Sequence, residues 1–136
     1  GGFATGSMLG SGGFIVYNDT TCIVRNTWNF SRFYHHESCG QCTPCREGTG
    51  WLEKVLHRIE NGHGREEDIE LLWSIQSKIE GNTICPLGDA ASWPVAAAIR
   101  HFREEFEYHV RFPEKVKNRN HFVAEHFEKV KHLVTK

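Results

Sequence analysis

A mainly α fold, a four-helix bundle, is what this sequence predicts, and three observations carry the prediction. Apolar residues recur at helical spacing in four consecutive segments. Turn and capping residues punctuate those segments. The connections between them are short, which makes successive helices antiparallel neighbours.

The first stripe follows Asp19-Thr20, read as the N-cap, and runs through Ile23, Val24, Trp28, Phe30, Phe33 and Tyr34. A second helix follows Arg46, with Trp51, Leu52, Val55, Leu56 and Ile59 on one face, and ends at Asn61-Gly62. A third starts around Glu66 and carries Ile69, Leu72, Trp73 and Ile79, with Gly81 as the residue just past its end. The fourth opens near Ser92, with Pro94 in its first turn, and continues through Val95, Ile99, Phe102 and Phe106 to about Val110. Residues 19–112 therefore read as the bundle.

Both flanks differ from it. Residues 1–13 hold six glycines, and Gly12 to Tyr17 read as a short strand closed by Asn18-Asp19. A lone strand is not stable, so residues 1–18 are expected either to be the remnant of a β-domain whose remainder is not in this chain or to pack on the helices. The chain opens Gly1-Gly2 without an initiator Met, as an excerpt of a longer protein would. Pro113 breaks the helical pattern, and Val123, Phe127, Val130 and Val134 suggest a tail helix within residues 113–136.

Composition narrows the function. Sixteen basic and 17 acidic residues leave a net charge of −1, and they are interspersed, so no basic face offers itself to nucleic acid. No apolar run reaches the ~20 residues needed to cross a bilayer, and no signal peptide is visible. The chain reads as soluble, with docking on a membrane assembly still open to it. No G-x-G-x-x-G stands between a strand and a helix, so no FMN or NAD site and no catalytic residue is assigned within this chain.

Five cysteines supply the sharpest signal. Three stand in Cys39-Gly40-Gln41-Cys42-Thr43-Pro44-Cys45, and Cys85-Pro86 follows 40 residues beyond the last of them. The C-x2-C-x2-C run is the one bacterial ferredoxins use for a 4Fe–4S cluster, where a Cys-Pro often gives the fourth thiolate. Cys39, Cys42, Cys45 and Cys85 are thus the candidate ligands of one 4Fe–4S cluster, which would staple the bundle as well as carry electrons. Zinc is the competing reading, although structural zinc sites usually present cysteines in pairs rather than as three plus one. Around the candidates, Gly40 permits close backbone approach, and Arg46 either tunes the site by its charge or sits in a surface pair. Pro44 and Pro86 fix the two loops. Cys22 stands apart on an apolar stripe and reads as a small core residue. His35 and His36 precede the cysteine loop, where either could line the site or relay a proton. The remaining histidines, His57, His63, His101, His109, His121, His126 and His132, read as solvated, and the four tryptophans as core or interface.

Gly6-Ser7-Met8-Leu9-Gly10, the stretch His36 to Gly48, the stretch Glu80 to Asp89 and Trp93-Pro94 together resemble the NADH-binding flavoprotein subunit of respiratory NADH:quinone oxidoreductase (complex I). The likeness covers about residues 6–112 and implies a 4Fe–4S cluster on Cys39, Cys42, Cys45 and Cys85, next in line after the flavin. In that family NADH reduces FMN, single electrons enter this cluster, and further clusters lead to quinone. FMN and NADH belong to the larger N-terminal part of the subunit, with a ubiquitin-like β-domain between it and the bundle. The resemblance thus implies the C-terminal portion of the subunit, inactive alone towards NADH. Its implied partners are other peripheral-arm subunits, especially the neighbouring 2Fe–2S subunit and the large iron–sulfur subunit. Its implied place is the cytoplasmic side of a bacterial inner membrane, or the matrix side in mitochondria, without membrane insertion. Flavoprotein subunits of NAD-reducing hydrogenases and NAD-linked formate dehydrogenases share the core motif and are the alternative. From another class, a structural zinc bundle serving as an interaction module stays open.

Overall fold

In a computed structural model that describes residues 10–117, 129 and 131–133, five helices follow one another. They are α1 (Ile23–Glu37), α2 (Thr43–Glu60), α3 (Glu67–Ile79), α4 (Leu87–Arg111) and the single turn α5 (Pro113–Val116). Lys129 and residues 131–133 are helical as well. The tail-helix positions Val123, Phe127, Val130 and Val134 lie outside the described residues.

The apolar stripes do what their spacing predicts. Val24 of α1, Leu52, Leu56 and Ile59 of α2, Leu72 and Ile79 of α3, and Val95, Ile99 and Phe106 of α4 close into one buried core. Fully burying side chains of this size stabilises by about 1.5–3 kcal/mol each, and the short connections make successive helices antiparallel. Not every apolar residue is recruited. Phe33, Trp51, Trp73 and Trp93 stay exposed. Trp73 lies beneath the Arg100 guanidinium, and Trp93 donates its ring N–H to Glu80 Oε1. Of the four tryptophans only Trp28 is half-buried against the core, where Ile23 packs as well.

Two helix starts differ from the sequence reading. α2 begins at Thr43, so Cys45 lies inside its first turn, and α4 begins at Leu87 rather than near Ser92. Proline explains both, because its fixed φ suits the first turn of a helix, where its missing N–H has no partner to lose. Pro44 stands within the first turn of α2, and Pro86 is the residue before α4. Pro94 therefore lies inside α4. At the start of α1 the cap is Cys22, whose sulfur accepts the Arg25 N–H, and not Asp19 or Thr20. Gly81 does follow α3 with φ of 74°, as a helix end asks of glycine.

The strand expected at 12–17 does not form. This segment has no strand assignment, and Phe14, Ile15 and Val16 are 88, 65 and 82% exposed. With no neighbouring strand among the described residues, its β-favouring side chains have nothing to pair with.

A buried carboxylate joins α2 to α3. Asp68, with no exposed side-chain surface, takes two bonds from Arg58, at 2.5 and 2.9 Å, and one from the Arg65 backbone N–H at 2.9 Å. Burial alone would raise its pKa. The Arg58 hydrogen bonds, the Arg65 N–H and the charges of both arginines outweigh that and hold the carboxyl below its usual range. Removing one partner of a buried pair costs about 3–5 kcal/mol. Arg58 is partly solvated, so Asp68→Asn is expected to destabilise by about 2 kcal/mol at neutral pH. A carboxylate with a lowered folded pKa stabilises above its unfolded value, near 3.9, and loses that contribution as pH falls through the folded one. Urea unfolding at pH 7 and pH 3 checks this: the gap between wild type and variant should narrow in acid.

Candidate metal centre

Antiparallel order brings the C-terminal end of α1, the N-terminal end of α2, the C-terminal end of α3 and the N-terminal end of α4 to one end of the bundle. Gly48 in α2 touches α3 there so closely that an added Cβ would stand 2.6 Å from Ile79 Cγ1. All four candidate thiols belong to this end. Cys39 lies in the α1–α2 loop, Cys42 is the N-cap residue of α2, Cys45 is in its first turn, and Cys85 comes just before Pro86 and α4. Cys39 and Cys85 are exposed, Cys42 is half-buried, and Cys45 is buried.

Both helix starts lack a side-chain cap. The first backbone N–H groups of a helix have no partner inside it, and the helix dipole makes that end positive. Here two such ends flank four thiols, with no carboxylate or hydroxyl closing either helix. An iron–sulfur cluster is an anionic group held by thiolates, and this donor set with its positive helix ends fits one. No three of the four sulfurs lie within 4.8 Å of one another. A closed zinc site, with sulfurs 2.3 Å from the ion, would bring them about 3.8 Å apart.

The loops are held by local bonds. Gly40 adopts φ of 78°, which a side chain would strain, and its N–H reaches Ser38 Oγ at 3.3 Å. Ser38 Oγ in turn lies 3.1 Å from Cys45 Sγ. Arg46 donates to the Gly40 carbonyl at 2.7 Å and pairs with Glu47 at 3.1 Å, so it braces the loop while sitting in an exposed pair. On the other side, Asp89 accepts the Gly81 N–H at 2.8 Å, and Thr83 donates its hydroxyl to the Cys85 carbonyl at 3.0 Å. Gly88 lies beneath Thr83. A Cβ there would stand 2.3 Å from Thr83 Cγ2 and 2.8 Å from its Cβ. Gly88→Ala must therefore displace Thr83 and loosen the Cys85 loop, at a cost of about 1–3 kcal/mol. Thermal unfolding checks it, and Thr83→Gly in the same background should recover part of the loss.

The two histidines before the loop bond to carboxylates instead of thiols. His35 Nδ1 pairs with Glu53 at 2.6 Å, and its ring packs on Gly50. His36 Nδ1 pairs with its neighbour Glu37 at 3.1 Å. Of the histidines read as solvated, His57, His63 and His101 are exposed, but His109 is fully buried. It lies in the core beside Cys22. Its position at i+3 from the buried Phe106 on α4 is the sequence signal for that burial. Cys22 is in the core, as its apolar stripe predicts.

Four thiols at one end of a helical bundle fit a metal-binding helical domain of the iron–sulfur kind. The family model described as the NADH-ubiquinone oxidoreductase-F iron-sulfur binding region matches residues 25–109, and the chain belongs to that family. It is 53% identical over 106 residues to the NADH-quinone oxidoreductase F subunit of Rickettsia typhi, covering 78% of this chain and 25% of that protein. It is 50% identical over 107 residues to the F subunit of Mycobacterium tuberculosis, covering 79% and 24%. The chain thus spans about a quarter of the length of the curated relatives it matches. Among solved structures it resembles a chain in the crystal structure of an NAD+-reducing [NiFe]-hydrogenase in the H2-reduced state. That likeness has a TM-score of 0.66 and 35% identity, covering 70% of this chain and 16% of that one.

Proposed function

We propose that this chain is the electron-transfer portion of an NADH:quinone oxidoreductase flavoprotein subunit, with one 4Fe–4S cluster held by Cys39, Cys42, Cys45 and Cys85. The observation that carries the reading is the placement of the four thiols at two uncapped helix starts on one end of the bundle. Bound there, the cluster supplies one-electron transfer between FMN reduced by NADH and further clusters that lead to quinone. The residues of this chain do the holding. The first N–H groups of α2 and α4 offset the negative charge, and Cys45, buried in its helical turn, fixes the inner side of the site. Ser38, 3.1 Å from the Cys45 sulfur, adds a hydroxyl that can donate to a thiolate. Arg46 and Thr83 hold the two loops by their carbonyls.

FMN and NADH are assigned to the remainder of the flavoprotein, so the 136-residue chain alone is inactive towards NADH. Its partners are peripheral-arm subunits of complex I, the neighbouring 2Fe–2S subunit and the large iron–sulfur subunit first. No helix among the described residues is long and apolar enough to cross a membrane, and we place the protein peripherally, on the cytoplasmic or matrix side. Identity of 50–53% to the NADH-quinone oxidoreductase relatives against 35% to the hydrogenase chain favours complex I over the hydrogenase reading.

Anaerobic reconstitution with iron and sulfide tests the proposal. The expected product is brown, absorbs near 400 nm, contains about four irons per chain and gives a 4Fe–4S electron paramagnetic resonance signal on reduction. Colourless protein that takes up zinc on the same thiols would replace the proposal with a structural zinc site. Calorimetric titration with FMN and NADH should show no binding, and stoichiometric binding of either would reveal a nucleotide site in this chain.

A further inference from the structure

At the opposite end of the bundle from the four loop cysteines, three side chains with metal-binding atoms meet in the core. Cys22 caps α1, Glu60 ends α2, and His109 lies in the last turns of α4. Their relative exposures are 8, 5 and 0%. Cys22 Sγ lies 3.3 Å from His109 Nε2 and 3.8 Å from Glu60 Oε2, and those two atoms are 3.5 Å apart. An ion bound tetrahedrally at zinc–ligand distances of 2.0–2.3 Å holds mixed N, O and S donors about 3.3–3.8 Å apart. The three atoms already form one face of such a tetrahedron.

The atoms next to them prepare the same geometry. His109 Nδ1 lies 2.7 Å from the Glu105 carbonyl oxygen, which can only accept, so Nδ1 carries a proton in that bond. In the neutral ring Nε2 then holds its lone pair towards Cys22 and Glu60. A metal-ligating histidine is usually oriented in this way, its other N–H donated to a carbonyl or carboxylate. The Arg25 backbone N–H points at the Cys22 sulfur at 3.4 Å, a bond that a thiolate accepts better than a thiol. Burial first, then the nearby Glu60 carboxylate, pushes the Cys22 thiol well above its usual range, so without a cation it keeps its proton.

We propose that Cys22, Glu60 and His109 supply three ligands of a second metal site suited to zinc, with water as the fourth, which ties the start of α1 to the ends of α2 and α4. Thiolate, imidazole and carboxylate together suit zinc. Zn2+ with one thiolate and one carboxylate is also neutral in charge, which a buried site requires. Binding forms a Zn–S bond as the thiol releases its proton to solvent, and nothing is oxidised or reduced. The site shares no residue with the loop cysteines, so iron content and zinc content report on the two proposals separately.

The test uses the whole chain with its loop cysteines occupied by the reconstituted cluster, equilibrated with Zn2+ and then desalted. Elemental analysis should find one zinc beside four irons. Zinc should fall to background in Cys22→Ser and in His109→Gln, with iron unchanged. Glu60→Gln, an isosteric change, should weaken retention at least tenfold and serves if either of the others fails to fold. Co2+ gives a second readout. In a variant with Ser at all four loop positions it should produce a thiolate-to-cobalt band that disappears on adding Cys22→Ser. Folded wild-type chain that retains no zinc would overturn the proposal and leave the triad a hydrogen-bonded core cluster. Zinc retained equally by all three single variants would overturn it too, by placing the ion elsewhere.

Discussion

Replacing Cys85 with Ser is expected to abolish the 4Fe–4S spectrum, while replacing Cys22 with Ser leaves it intact. Cys85 is the one candidate ligand outside the first turn of α2 and the loop before it, supplied instead by the loop that precedes α4. Three thiolates from Cys39, Cys42 and Cys45 leave one corner of the cube without its ligand. The lost ligand is not replaced locally, because no other cysteine belongs to the same end of the bundle. Cys22 lies at the opposite end, in contact with His109 and Glu60. Iron and sulfide analysis with absorbance near 400 nm checks both variants. Loss of the spectrum in Cys22→Ser with retention in Cys85→Ser would overturn the ligand assignment.

Much of the fold is legible in the sequence because burial and helical periodicity coincide. Leu52, Val55, Leu56 and Ile59 lie on one face of α2 by sequence spacing and in one core by structure. Where spacing misleads, another force decides. Trp51 falls on the α2 stripe and Trp73 on that of α3, yet they are 53 and 37% exposed. A ring at the margin of a stripe needs a facing cavity, and the sequence carries no record of one. A start for the fourth helix near Ser92 rests on Pro94, but Pro44 stands in the first turn of α2 and Pro86 caps α4, and these two mark the true starts. A strand at 12–17 rests on β-favouring composition, and strand formation depends on a partner that no local pattern reports.

The candidate centre is legible for the opposite reason. Its thiols are named by spacing, and the short loops of an antiparallel bundle leave little choice about which end they share. What spacing does not reach is the other cluster. Cys22, Glu60 and His109 are separated by tens of residues on three helices, and each alone resembles an ordinary core or surface residue. Only the packing of α1 and α4 against α2 brings them within 4.8 Å.

Amide hydrogen exchange should show the cluster ordering residues 37–46 and 83–90 while leaving the helices largely formed without it. α3, with 13 residues, has a length at which isolated helices are marginal in water, and α2, with 18, likewise draws most of its stability from packing its apolar face. That packing is present without a metal. Leu52, Leu56 and Ile59 meet Leu72 and Ile79 at 0–1% exposure, and Asp68 pins the far end of the hairpin through Arg58. The cysteine loops have no comparable core. Cys39, Gln41, Ile84 and Cys85 are exposed, and the Gly40 N–H is held by a single 3.3 Å bond to Ser38. Metal binding that needs a folded geometry contributes its free energy to folding, and it acts on the segments that supply the ligands. Protection in the apo protein should therefore drop by at least tenfold at the amides of 37–46 and 83–90, and by much less at Val55, Leu56 and Leu72. Equal protection of the two loops in both forms would mean that Arg46, Thr83 and Asp89 hold them unaided. Collapse of exchange protection throughout α2 and α3 would mean instead that the cluster, and not the apolar core, is what folds the hairpin.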